Sequence, residues 1–389
     1  MYAPTYTLRL IVKNAMRHKL RTTLTLLGLV VAIFSFGLLQ TVVDAWYAGA
    51  EGASNTTLVT RNKTSLVFPL PLSYQARIRA VDGVTGVGFA NWFQGVYKDP
   101  KNFFAQFAIS GQSYLDIYPD YLLPEDQRAA FLHDRKGAIV GRKLADQYDL
   151  KVGDIIPLKG TIYPGQWELT VRGIYDGKQV STNTAQLFFH WDYVNETMKK
   201  TAPRRANQIG VYVVQIDHPE NAAAVSAAVD KEFANSLAET LTETEKAFQL
   251  GFVSMSEAIV VAIRVVSFVV IVIIAAVMAN TMAMSARERL GEYATLKALG
   301  FGPGFLTLMI FGESLLLAVV GAGVGIVVLF PVAGWLGHVM GTMFPVFEVS
   351  RLTVIQQLLA ALAIGTVAAI APTIRAARVN IVEGLRSIG

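Results

Sequence analysis

The side chains that usually perform enzymatic chemistry are few and scattered in this sequence. There is no cysteine, and the five histidines follow no metal-ligand spacing: His18, His133, His190, His218 and His338. No G-x-x-x-x-G-K-S/T segment is present to hold nucleotide phosphates, and no G-x-S-x-G segment presents a nucleophilic serine. We therefore expect a protein that is not an enzyme, has no metal site and binds no cofactor or ATP of its own.

One acidic residue, Glu313, lies inside a long apolar run. It is nine residues beyond Gly304, which in a helix is a rise of about 13 Å. A carboxylate at membrane depth is costly and normally faces a partner or a cavity. We expect Glu313 to brace the helices by accepting hydrogen bonds from a neighbouring helix or from a cytoplasmic arginine. A proton relay is the alternative.

The composition indicates a membrane protein. Hydrophobic residues make up 53% of the 389 and charged residues 16%, whereas soluble domains are roughly 25% charged. About 20 apolar residues are needed to cross a bilayer, and only a helix satisfies their backbone polar groups there. Four runs are long enough, and we expect transmembrane helices at residues 24–43, 258–285, 305–332 and 352–374.

Basic residues indicate the orientation of these helices. Five lie in the amphipathic N-terminal segment 1–23, three in the loop 286–304 and three in the tail 375–389. Because lysine and arginine are enriched in cytoplasmic loops, we expect these three segments in the cytoplasm. Residues 44–257 and the short loop 333–351 then lie on the outer side. The net charge of +5 therefore reflects topology and indicates no nucleic-acid partner.

A cleaved signal peptide is an alternative interpretation of the N-terminus. Ala48, Gly49 and Ala50 resemble a small-residue cleavage site. The preceding apolar run is longer than the roughly 7–15 residues of a signal-peptide core, so we favour an uncleaved membrane anchor.

The outer region 44–257 has the mixed patterns of an α/β domain. Strand and helix patterns alternate along it, and we expect a polar amphipathic helix at 221–237 and a helical stalk at 242–257 that leads into the second span. The strands are expected at 138–141, 155–158, 167–175 and 211–216, with a helix at 142–148.

The segment 95–135 of this region is rich in aromatic residues. Two interpretations are open: an apolar surface for a lipid, peptide or hydrophobic drug, or the core of a small subdomain, which we favour.

A short amphipathic helix is expected between the second and third spans. Leu290, Tyr293, Leu296 and Lys297 share one face of it. Gly300 stands where the helix would end. Such a helix suits docking into a groove of another protein, and the alternative is a helix that lies passively on lipid.

These segments resemble a known family. Residues 287–300 (RERLGEYATLKALG) followed by 313–317 (ESLLL) look like the signature of MacB/FtsX-like ABC transporter permeases, which include the lipoprotein-releasing permeases. Residues 14–28 are similar to the N-terminal basic helix and first span of that family, 371–386 to its C-terminal signature, and 137–177 to its outer domain. The likeness therefore spans both ends of the chain and its topology.

The resemblance implies a fold of four transmembrane helices, with a large α/β periplasmic domain inserted between helices 1 and 2, in the cell inner membrane. It implies two copies of an ATPase subunit that binds the ATP, a second permease copy in a homodimer or paralogue heterodimer, contact with membrane lipid, and room for a periplasmic adaptor protein. The ATPase would dock on six residues of the coupling helix: Arg289, Leu290, Glu292, Tyr293, Leu296 and Lys297.

The function implied is mechanotransmission, in which ATP hydrolysis by the partner drives export or extraction of a lipoprotein, lipid, peptide or drug outside the membrane. One alternative is an FtsX-like regulatory permease that activates a periplasmic partner and moves no substrate. Another is an independent membrane enzyme or sensor, which no catalytic motif in the sequence favours.

Overall fold

The computed structural model describes residues 4–340, 344 and 346–378. The chain divides into two compact units. One unit consists of Met1–Asp44, Ala258–Trp335 and Glu348–Gly389, and the other of Ala45–Glu257 with Leu336–Phe347. We call the first the helical unit and the second the α/β unit.

The helices of the described residues follow in chain order. They are α1 (Pro4–Ala15), α2 (Lys19–Glu51), α3 (Tyr74–Arg79), α4 (Gln112–Ile117), α5 (Glu125–His133), α6 (Arg142–Tyr148), α7 (Trp191–Thr201), α8 (Ala222–Glu232), α9 (Glu245–Met255), α10 (Glu257–Glu288), α11 (Leu290–Ala298), α12 (Pro303–Val339) and α13 (Arg351–Arg378).

The strands of the described residues belong to the α/β unit. They are β1 (Thr57–Asn62), β2 (Leu70–Pro71), β3 (Val84–Trp92), β4 (Gly95–Tyr97), β5 (Ala105–Ile109), β6 (Tyr121–Leu122), β7 (Gly137–Gly141), β8 (Ile155–Gly160), β9 (Gly165–Gly177), β10 (Gln186–His190), β11 (Gln208–Ile209), β12 (Val211–Ile216) and β13 (Thr240–Thr244).

Four helices, α2, α10, α12 and α13, are long and apolar enough to cross a membrane in the part of the chain that the structure describes. The α/β unit is inserted between the first and second of them, which confirms the fold class expected from the sequence. Each predicted span lies inside a longer helix. The third continues through Pro331 to Val339, beyond its expected end at residue 332, because apolar residues follow and a proline inside a spanning helix is tolerated.

Small residues allow the helices of the helical unit to approach closely. A Cβ atom on Gly321 would lie 2.7 Å from Cβ of Leu29, and one on Gly365 would lie 2.9 Å from Cβ of Ala318. Hydrogen bonds add to this packing, since Ser314 Oγ donates to the carbonyl oxygen of Gly365 at 2.6 Å. Close backbone contact and interhelical hydrogen bonds are what hold helices together in lipid.

The centre of the α/β unit is a mixed sheet with the strand order β13-β1-β12-β3-β5-β10-β7-β9-β8-β4, to which β6 adds at β9. Most neighbours are antiparallel, while β5 with β10 and β7 with β9 are parallel. A separate short ribbon pairs β2 with β11.

Both faces of this sheet are covered. Along β10, Phe189 belongs to a core that includes Leu144 of α6, whereas Phe188 belongs to a second core with Phe131 of α5. Successive side chains of a strand point to opposite faces, so each layer of helices buries one set. Because both faces of the central strands are buried, their sequences are nearly continuous apolar runs.

Two expectations about the α/β unit need correction. The helix expected at 221–237 ends at Glu232, and Asn235 then adopts a left-handed backbone conformation with φ of 60°. The helical stalk expected from residue 242 begins at Glu245, because Thr240–Thr244 pairs with β1 as a strand. Thr244 then caps α9 by accepting a hydrogen bond from the backbone nitrogen of Ala247 at 3.2 Å.

Candidate functional site

A buried ion pair fixes the start of α11 to α12. Arg289, the residue between α10 and α11, donates from Nη1 to Oε2 of Glu313 at 2.9 Å. The two residues are only 6% and 7% exposed. Removing one partner of such a pair leaves a buried charge uncompensated, which costs about 3–5 kcal/mol. The junction between α10 and α11 is therefore held firmly against the third long helix.

A second set of ion pairs joins α11 and α10 to the start of the first long helix, α2, and to the turn before it. Arg289 Nε also donates to Oε2 of Glu292 at 3.3 Å, and Arg17 donates to Oε1 of the same carboxylate. Arg21 makes a two-pronged pair with Glu288, with nitrogen–oxygen distances of 2.6 and 2.8 Å. Two-pronged arginine–carboxylate pairs fix orientation as well as distance.

The charge state of Glu292 follows from this arrangement. Burial opposes ionisation of its carboxyl group, but hydrogen bonds from Arg17 and Arg289 outweigh burial and hold the pKa of Glu292 below its ordinary value. The carboxylate is therefore ionised at neutral pH and keeps both arginines in place.

One face of α11 packs into the helical unit. Tyr293 is buried in a cluster with Leu306 and Ile310 of α12 and Ala369 and Ala376 of α13. Burial raises the pKa of Tyr293 to about 12, so its ring stays neutral. The ring also lies 5.5 Å from the guanidinium carbon of Arg289, within the range of a cation–π contact.

The end of α11 has the geometry that the sequence predicts. Gly300 follows the helix with φ of +89°, a backbone conformation that favours glycine. The backbone nitrogen of Gly300 donates to the oxygen of Lys297, and that of Phe301 to the oxygen of Leu296, both at 3.0 Å. These two bonds form a Schellman motif, which stops the helix.

The six predicted docking residues lie mostly on the inner side of α11. Arg289 and Tyr293 are buried within the chain itself. The other four are half-buried: Leu290 and Leu296 contact the same cluster as Tyr293, Glu292 pairs with arginines, and Lys297 donates to the carbonyl oxygen of Ala377 at 2.7 Å.

An amphipathic pattern shows which face of a helix is apolar, but not whether that face packs on the same chain or on a partner. The exposed residues lie on the other side of α11 and at its C-terminal end, and we call them, together with the exposed Arg287 at the end of α10, the outer face of α11: Arg287, Thr295, Ala298 and Leu299.

Sequence reasoning also missed Arg17, Arg21 and Glu288 as parts of this site. The available signal was the run of basic residues before the first span, interpreted above only as an indicator of topology. Acidic and basic residues on the same side of a membrane can pair with one another. Which of them do so, here Arg17 with Glu292 and Arg21 with Glu288, becomes visible only in the folded helices.

Two family models match the chain. Residues 22–232 match the model of the MacB-like periplasmic core domain, which is more than half of the chain. Residues 264–381 match the model of the FtsX-like permease C-terminal domain, and these include α11 and Glu313.

A relative over nearly the full length agrees with these matches. An uncharacterised ABC transporter permease of Methanocaldococcus jannaschii is 24% identical over 96% of this chain and 96% of its own length.

Among solved structures, the extracellular domain of the noncanonic ABC-type transporter YknZ from Gram-positive bacteria is 13% identical, with a TM-score of 0.35 over 48% of this chain and 100% of that one. A domain of a putative permease from Porphyromonas gingivalis is 12% identical, with a TM-score of 0.32 over 48% of this chain and 88% of that one. Neither score reaches 0.5, so the relationship rests on the family models.

Proposed function

The chain belongs to the MacB- and FtsX-like ABC transporter permeases, and we propose that it transmits movement from a partner ATPase to its own α/β unit. The observation that carries this proposal is the two-sided character of α11. Its inner face is held by the buried Arg289–Glu313 pair and by Tyr293, while its outer face is open. A helix fixed on one side and open on the other passes an applied force into the structure that holds it.

The outer face of α11 is the proposed contact with the ATPase. Leu299 is 70% exposed although it is a large apolar residue, and it stands beside the Gly300 turn. An apolar side chain bordered by polar residues is common at protein interfaces, and Thr295, which is exposed, lies one turn before Leu299. Two copies of the ATPase, one for each permease in a dimer, would bind ATP and occupy these faces.

The ion pairs around α11 are the proposed route of the force. Arg289 connects α11 to α12, and Arg17 and Arg21 connect α11 and α10 to the start of α2. In the chain, α2 and α10 flank the α/β unit directly. A displacement of α11 would therefore reach both helices that flank this unit.

The proposed location is the cell inner membrane, with both termini and α11 in the cytoplasm and the α/β unit in the periplasm. The distribution of basic residues supports this orientation. We propose that substrate is exported or extracted on the periplasmic side, and that it is a lipoprotein, a lipid, a peptide or a drug.

The test replaces Leu299 in the full chain, co-expressed with its ATPase. We expect Leu299→Asp to reduce ATPase co-purification by at least about tenfold, since a buried hot-spot residue contributes roughly 2 kcal/mol or more. Leu237→Asp is the matched control, because Leu237 is a fully exposed leucine of the α/β unit. It should leave ATPase binding unchanged.

The result that would contradict the docking proposal is full ATPase association and stimulation with Leu299→Asp. A different outcome concerns the wild-type complex. If Leu299→Asp loses ATPase association as expected, but the wild-type complex moves no substrate in reconstituted vesicles, the chain instead has the regulatory role of an FtsX-like permease.

A further inference from the structure

The α/β unit contains a cavity that the transport proposal does not use. It has a volume of about 350 Å³, within the roughly 300–1,000 Å³ of small-molecule pockets. Its walls come from the end of α2, from the sheet, from the segment around α4 and β6, and from α9. Six aromatic side chains line it: Phe107, Tyr114, Tyr118, Tyr121, Phe248 and Phe252.

The aromatic side chains form a connected wall. The rings of Tyr114 and Tyr118 have centroids 4.9 Å apart, and those of Tyr118 and Tyr121 are 5.5 Å apart. Behind them Tyr121 packs on Phe188 of the sheet at 5.3 Å. The wall is therefore rigid, and its tyrosine faces carry the negative potential that attracts cations.

One carboxylate, Glu245 at the start of α9, also lines the cavity. It accepts a hydrogen bond from the hydroxyl group of Tyr118 at 3.1 Å and from the backbone nitrogen of Ser54 at 3.3 Å. The side chain of Gln249 adds a third hydrogen bond. All three donors are uncharged, and no lysine or arginine of residues 4–340 and 346–378 pairs with Glu245. Burial raises the pKa of this carboxyl group above its ordinary value.

The cavity is lined by a second acidic residue, Asp120, whose charge is already paired. Asp120 has a counter-ion, since its Oδ1 lies 3.7 Å from Nζ of Lys178. Within the part of the chain that the structure describes, Glu245 is thus the acid of this cavity that receives hydrogen bonds but no positive charge. A buried carboxylate needs a paired cation to offset the loss of its hydration. The position for such a cation, between Glu245 and the tyrosine wall, is open.

We propose that this cavity binds an organic cation with an apolar body, such as a protonated amine or a quaternary ammonium compound carried by an aromatic group. The positive charge would pair with Glu245, and the apolar body would lie against Tyr114, Tyr118 and Tyr121. A neutral lipid would use the aromatic wall but leave the carboxylate without a counter-ion, so it fits this cavity less well. The proposal goes beyond transmission of force and needs no ATPase for its test.

The experiment measures binding of ethidium, a fluorescent aromatic cation, to the full chain in lipid nanodiscs. We expect saturable binding that Glu245→Gln weakens about tenfold, which corresponds to about 1.4 kcal/mol. Glu239→Gln is the matched control, because it removes the same charge from the surface of the same unit, where Glu239 pairs with Lys63. Equal ethidium affinity in the wild type and in Glu245→Gln, or no saturable binding at all, overturns the proposal.

A second measurement locates the ligand without altering the acid. The chain has no cysteine, so a Ser181→Cys variant introduces a single thiol at the wall of the cavity. Ethidium should slow maleimide labelling of this variant and should not slow labelling of Ala130→Cys, which is exposed on α5. Slowing of both variants, or of neither, contradicts binding in the cavity. Because no ATPase is present, these results are independent of the docking test.

Discussion

Removing the carboxylate of Glu313 should destabilise the helical unit by about 3 kcal/mol, because it leaves the guanidinium of Arg289 buried without its main partner. The two groups are 2.9 Å apart and each is under a tenth exposed. Loss of one partner in such a pair costs about 3–5 kcal/mol, and Glu292, 3.3 Å from Arg289 Nε, keeps the loss at the lower end. We expect this shift for Glu313→Ala in denaturant unfolding of the full chain in micelles, followed by circular dichroism.

Two further variants make this prediction specific to the buried charge. Combining Arg289→Met with Glu313→Leu removes both charges, and the double variant should unfold within about 1 kcal/mol of the wild type. Glu232→Ala breaks an exposed pair with Arg77 and should cost at most about 1 kcal/mol. The reasoning is refuted if Glu313→Ala costs less than 1 kcal/mol, or if the double variant is as unstable as the single one.

Two other predictions concern the α/β unit and the helix packing. Burial raises the pKa of Glu245 in the folded chain, so ionising it opposes folding. Below the ordinary pKa of about 4.3 this cost is absent, and it reaches its full value above the raised pKa. Glu245→Gln should therefore raise the unfolding temperature, measured by tryptophan fluorescence, increasingly as the pH rises towards neutrality; an advantage that is constant with pH would contradict this. Gly321→Val should cost about 1–3 kcal/mol in the micelle assay because its Cβ would meet Leu29, while Gly323→Val, with nothing within 4 Å, should cost less than half as much.

The main elements of the fold could be predicted from local patterns. Uncharged runs of about 20 residues permit only spanning helices, and all four are present. The strand β9 could be predicted because its side chains alternate between buried and exposed. The sequence also predicts the end of α11 correctly, since only a glycine such as Gly300 readily adopts its backbone conformation.

The remaining features depend on contacts distant in sequence. Thr240–Thr244 is a strand because β1 is available to pair with it, and no property of five residues indicates that partner. Tyr293 faces inward because Ala369 and Ala376 leave space for its ring. The carboxylate of Glu245 could not be connected with Tyr118, 127 residues earlier, before the sheet and α9 were seen together.

The break between α10 and α11 consists of one residue, Arg289. Its backbone nitrogen donates to Ala286 at 3.3 Å and its carbonyl oxygen accepts from Tyr293 at 3.0 Å. With only two soft torsion angles at this position, and its side chain buried on Glu313, the bend has very little freedom to absorb strain. A displacement of α11 would therefore rotate α10 with it. A few flexible residues inserted after Glu288 would break this coupling while leaving both helices intact.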